Sequence, residues 1–88
     1  MRKEELLKIT YEALYKNSQI IAIKDGMLES AKQGKTDYKG RIEPEYLLLD
    51  EDAFISYFSD LGYYVSTEYS KRKGLKFFIS WGNLIYEI

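Results

Sequence analysis

Hydrophobic positions near the start of the chain recur every seven residues. Leu6, Ala13, Ile20 and Met27 form one row, and Leu7, Leu14, Ile21 and Leu28 form a second row one position on. Together they make one apolar stripe of the kind a helix lays against a core, so residues 2–33 read as a single long helix. Gly34 stands where a terminating C′ glycine belongs, with Lys32 and Lys35 near the negative end of the helix dipole. Two places weaken the continuity. Asn17-Ser18 has the chemistry to end one helix and cap another, and Asp25-Gly26 has that of a hairpin turn after Ile20-Ile21-Ala22-Ile23. The preferred reading is one helix, bent near Asn17 or Gly26.

From Thr36 to Ile42 a weak alternation places Tyr38 and Ile42 on one face of an edge strand. Pro44 ends that strand or starts a turn, because proline cannot donate to a central ladder. Tyr46-Leu47-Leu48-Leu49 is a short run of undefined type that reads as buried. Residues 50–61 form a second helix, with Asp50 as N-cap and Glu51 and Asp52 in the first turn. Phe54, Phe58 and Leu61 stack at i, i+4 and i+7 beside Tyr57, and Gly62 closes the helix. Tyr63, Val65, Thr67 and Tyr69 then share one face of a strand. Ser70 to Gly74 makes a basic turn, and Leu75, Phe77, Ile79 and Trp81 alternate as the core face of the next strand. Gly82-Asn83 suits a two-residue turn, after which Leu84, Tyr86 and Ile88 suit a terminal strand with an apolar edge.

The order α-β-α-β-β, with or without that last strand, predicts an α+β fold. A small, mainly antiparallel sheet packs against a long N-terminal helix and a short second helix. Eighty-eight residues make one domain, divided into a long helix 2–33, strand and loop 36–49, helix 50–61, and hairpin with tail 63–88. A helix of roughly 30 residues would run about 45 Å, whereas a compact domain of this length has a radius of gyration of about 12 Å. Either the helix folds back at its weak points or a second copy covers the overhang. Self-association through Leu7, Leu14, Ile21 and Leu28 is the expectation. The polar row Thr10, Asn17 and Lys24 either sets the register of such a pairing or marks the edge of a narrower core face.

Composition narrows the chemistry. With 45% hydrophobic and 31% charged residues the chain is of folded, globular type. It has neither Cys nor His, which excludes disulfides, thiolate metal sites, the commonest general base and His-dependent triads. No phosphate-binding glycine pattern occurs. The pairs Glu43/Glu45 and Asp50/Asp52 have sufficient explanation in loops and caps. The expectation is therefore no enzyme, no metal and no cofactor. No signal-type apolar region and no run of about 18 apolar residues occurs, so a cytoplasmic protein without a membrane partner is expected.

Charge is uneven although the net is −1. Seven acids and no cation fall between Ile42 and Ser70, and then Lys71, Arg72, Lys73 and Lys76 follow within six residues. The plain reading is a solvated helix start and a solvated hairpin tip. An alternative is nucleic-acid or nucleotide binding by that hairpin with Tyr63, Tyr64, Tyr69 and Phe78, although a pI near 5.4 argues against a dominant basic footprint. Protein binding fits better, because nine Tyr exceed what a small core holds and Tyr, Trp and Arg favour interfaces. The expected patch is Tyr64, Tyr69 and Phe78 with Lys71, Arg72, Lys73 and Lys76.

Three stretches carry a resemblance. They are a long N-terminal helix ending in Ala31-Lys32-Gln33-Gly34-Lys35, a helix ending in Leu61-Gly62-Tyr63-Tyr64-Val65, and a strand closing on Ile79-Ser80-Trp81. In this order the chain resembles small α+β proteins encoded by phages and prophages of low-GC Gram-positive bacteria. The resemblance implies fold and genomic setting and brings no catalytic residues with it. Two roles suit that setting: an inhibitor of a host protein or defence system, or a virion or assembly accessory.

Overall fold

The computed structural model describes residues 1–47 and 49–82. Helix α1 (Lys3–Tyr15) and helix α2 (Ser18–Lys32) come first, followed by strand β1 (Asp37–Ile42) and a single 3₁₀ turn at Pro44–Tyr46. Helix α3 (Glu51–Asp60) and the hairpin strands β2 (Tyr64–Ser70) and β3 (Gly74–Ser80) complete the order. The strands lie in the order β1-β3-β2 with both pairings antiparallel. The chain is thus α+β as expected, with helices first and a three-stranded antiparallel sheet among the described residues. The Leu84–Ile88 strand expected after a turn at Gly82-Asn83 lies outside those residues.

The expected long helix is two helices. Asn17 leaves the helical region at φ −70 and ψ 132, and its side chain accepts from the backbone N–H of Gln19 at 2.8 Å and of Ile20 at 3.2 Å. It caps α2 and satisfies donors that would otherwise be orphaned. The break also changes which row faces inward. In α1 the buried residue is Leu14, from the second row, whereas α2 buries Ile20, Ile23, Met27 and Ser30 and leaves Ile21 and Leu28 exposed. The break removes the single long helix on which the expectation of self-association rested, although residues 1–10 stay exposed, and Leu14 belongs to the chain's own core instead of an interface.

Helix α2 runs unbroken through Gly26, so no hairpin forms at Asp25-Gly26. That glycine admits the Tyr38 ring of β1, which occupies the place a Cβ would take. Helix α2 packs over β1 and α3 over β2. Between helices and sheet lie Ile20, Phe54, Phe58, Leu75 and Ile79, all essentially without solvent contact. Phe54 stands with its ring 5.1 Å from Phe58 and 5.5 Å from Phe77.

Helix α3 is capped by Asp50, whose carboxylate accepts from Ala53 N–H at 3.0 Å. Its buried face is Phe54, Tyr57 and Phe58. Leu61 was expected on that face but is the C-cap residue, where the chain turns away, and it is 54% exposed. Tyr46 is likewise exposed instead of buried, while Leu49 is in the core. At the hairpin tip Gly74 has φ +86, and a Cβ there would collide with the Ile42 carbonyl.

Candidate functional site

Two surfaces carry the candidate chemistry, one on each side of the sheet. Strand periodicity assigns residues to its faces. Leu75, Phe77 and Ile79 of β3 point to the helices, as do Val65 and Thr67 of β2 and Tyr38 and Ile42 of β1. The opposite face carries Asp37, Lys39 and Arg41 from β1, Ser80, Phe78 and Lys76 from β3, and Tyr64, Ser66 and Glu68 from β2. Pairing makes three rows of these: Asp37, Ser80 and Tyr64; Lys39, Phe78 and Ser66; Arg41, Lys76 and Glu68. Both helices that pack on the sheet do so from the other side.

The expected patch therefore divides. Tyr64, Phe78 and Lys76 meet on the open face, with the Tyr64 and Phe78 rings edge-to-face at 6.4 Å. Lys71, Arg72 and Lys73 stand exposed at the adjoining tip, where Ser70 Oγ accepts from Arg72 N–H at 3.2 Å. Tyr69 belongs to the other side, beside Leu47, Leu49 and Leu75. An odd-numbered strand position cannot share a face with Tyr64. Lys39 and Arg41 join the open face and were missed by sequence reasoning. The signal was present, since placing Tyr38 and Ile42 inward turns Lys39 and Arg41 outward.

The helical side carries a groove of about 750 Å³ between α1 and α3. Leu7, Tyr11, Tyr15, Tyr57 and Leu61 form its apolar wall, and Glu4, Lys8, Glu12, Lys16 and Asp60 stand around it. A second depression of about 490 Å³ shares Leu61 and continues to Met27, Leu28, Ala31, Tyr63 and Trp81. Tyr15, Leu28 and Leu61 are 66%, 55% and 54% exposed. Of the residues expected at an interface between copies, Leu7 and Leu28 line these grooves and Ile21 is exposed on α2.

Lys24 lines the second depression and reaches two residues of the first. Its ammonium donates to the Tyr57 hydroxyl at 2.5 Å and lies 4.7 Å from the centre of the Tyr15 ring. It is 4.9 Å from the Tyr57 ring centre. Being so much closer to the hydroxyl, it sits beyond the edge of that ring, so the cation–π contact is with Tyr15. Across the groove Tyr11 donates to Asp60 Oδ2 at 2.5 Å and meets Tyr57 edge-on at 5.7 Å. The hydrogen bond to Asp60, partial burial and the Asp60 charge all raise the Tyr11 pKa above its ordinary 10.0. The polar row Thr10, Asn17 and Lys24 thus serves this chain itself: Thr10 bonds back to the Leu6 carbonyl, Asn17 caps, and Lys24 pins Tyr15 and Tyr57.

Among the described residues no three acids gather as a metal site would require, and no helix is long and apolar enough to cross a membrane. Comparisons with protein-family models, with curated proteins and with solved structures find no match, so no relative's function bears on either surface.

Proposed function

We propose that this chain is a non-enzymatic binding protein that works by protein–protein contact through its helical side. One observation carries the reading: the apolar groove between α1 and α3 runs on past Leu61 to Leu28 and Trp81, with Tyr15, Leu28 and Leu61 standing in solvent. Contiguous exposed apolar surface rimmed by charge is characteristic of interaction sites. A trough flanked by two helices suits an amphipathic helix of the partner, with apolar anchors against Leu7, Tyr15 and Leu61 and polar contacts to Lys8, Glu12 and Lys16. In the phage or prophage setting that the sequence resembles, the partner is a host or phage protein. The chain then acts as an inhibitor of a host protein or defence system, or as a virion or assembly accessory, in the cell's cytoplasm. A second copy of the chain is the other protein partner that this groove fits.

A photoreactive residue placed at Leu61 tests the reading in living cells. Adducts are expected there, absent from the same probe at Lys35 in the turn between α2 and β1, and lost when Leu28→Asp is added. Masses at multiples of the 10.4 kDa chain would identify a second copy, and other masses a different protein. No protein adduct at Leu61 would overturn the proposal.

A further inference from the structure

The open face of the sheet is a second surface, distinct from the helical groove. We infer that it is a site for single-stranded nucleic acid, with Lys39, Arg41 and Lys76 on phosphates and Phe78 and Tyr64 stacking on bases.

Charge segregation is the first support. The chain has thirteen cations and fourteen acids, which suggests no affinity for a polyanion. Yet residues 37–42 and 64–80 hold six of the cations (Lys39, Arg41, Lys71, Arg72, Lys73 and Lys76) and only two acids, Asp37 and Glu68. That leaves an excess of four positive charges on the sheet and its tip and of five negative charges elsewhere. A polyanion meeting this face experiences the local field, which decays over about 8 Å at physiological salt, more than the net charge.

Register supplies the second support. Arg41 and Lys76 are direct cross-strand partners, and like charges so placed destabilise a sheet. Glu68 flanks Lys76 on the other side, but among the described residues none of these groups forms an ion pair within 4.0 Å; the ion pairs there are Arg2–Glu5 at the start of α1 and Lys32–Glu29 on α2. The two cations are therefore available to outside phosphates. Lys39 stands two residues along the same strand, directly opposite Phe78.

The rings make the third support and choose the ligand. Phe78 occupies the middle of the face, half-exposed, with Tyr64 edge-on beside it and 54% exposed. An acidic protein or an anionic lipid surface would use the cations and gain little from aromatic faces here. Unpaired bases use both, because every base has a face to stack and every nucleotide a phosphate. A duplex is disfavoured, since its bases are already stacked and a shallow sheet face enters neither groove.

Fluorescence anisotropy of the full chain with labelled oligothymidylate and oligouridylate tests this, with polyglutamate as a competitor. Binding to one or both oligonucleotides is expected, and their ratio tells DNA from RNA. Three phosphate contacts give a log–log salt slope of about −2, so affinity should fall about twentyfold between about 50 mM and about 200 mM salt. Lys39→Gln with Arg41→Gln should flatten that slope. Phe78→Ala should cost about tenfold with the slope unchanged, the loss expected of one stacked base. Tyr64→Ala, at a more exposed ring, should lower affinity in the same direction and serves if Phe78→Ala unfolds. Leu28→Asp, in the helical groove, should leave oligonucleotide binding as it is, which keeps this test separate from that of the protein partner. No binding to either oligonucleotide, competition by polyglutamate at equal phosphate and carboxylate concentration, or indifference to both ring variants would overturn the inference.

Discussion

Tyr11 is held at the mouth of the helical groove by its hydrogen bond to Asp60, and the bond works only while the phenol keeps its proton. Its raised pKa means that the folded chain holds that proton more tightly than the unfolded one. The stabilisation is complete below the ordinary tyrosine pKa of about 10 and is lost as pH rises through the higher folded value. A phenolate titration of the parent minus that of Tyr11→Phe should isolate a group ionising above pH 10; a difference curve centred at or below 10 would contradict the geometry. A second residue-scale expectation concerns Gly26. Replacing a mid-helix glycine by alanine ordinarily stabilises by roughly 0.5–1 kcal/mol. Here the new Cβ falls on the Tyr38 ring, so Gly26→Ala should lower the melting temperature and should cease to do so once Tyr38 is also reduced to Ala.

At the scale of elements, the sign of one substitution tests the break between α1 and α2. In a continuous helix Asn17→Ala would be stabilising, because alanine has the better helix propensity. As the N-cap of α2, Asn17 should instead be worth about 1 kcal/mol, a fall in melting temperature of roughly 4–8 °C for a domain of this size. Urea denaturation of Asn17→Ala reads the sign directly. Local chemistry made much of this level legible. Asp50, the first-turn acids of α3 and the alternation Leu75, Phe77, Ile79 all behave as their sequence implies. The continuous stripe misled because two rows one residue apart merge into one pattern, while the chain uses one row in each helix. Leu61 misled for a related reason, since periodicity does not say where a helix stops facing the core. The grooves were not legible at all, because they depend on the angle at which α1 leaves Asn17. Half of the open sheet face was legible, and Lys39 and Arg41 were hidden only until β1 took its place beside β3.

For the whole molecule the weight of the fold rests on one side. The core lies between the sheet and α2 with α3, so Phe58→Ala should cost about 3–5 kcal/mol and leave a chain of this size close to unfolded. Helix α1 contributes little to that core. Residues 1–10 are all exposed, and its anchors are Leu14, Tyr11 and the Lys24–Tyr15 contact near its C-terminal end. Hydrogen exchange should therefore be fast over the first half of α1 and slow in α3 and β3, and a protected start of α1 would mean that something else covers it. Such protection appearing only with a partner present would support the groove as its seat.

The strand order β1-β3-β2 also bears on how the chain reaches this structure. The middle strand of the sheet is the one made after the other two, so β1 has no neighbour to pair with until Gly74–Ser80 has been synthesised. The hairpin of β2 and β3 closes locally, across the short turn that Gly74 permits, and is the natural first piece. β1 must then return across the intervening α3 segment to find it, the long loop closure that sets the pace. A chain released before β3 would hold helices and two unpaired strands, a species prone to aggregate. The commitment to fold therefore waits for β3 and comes all at once.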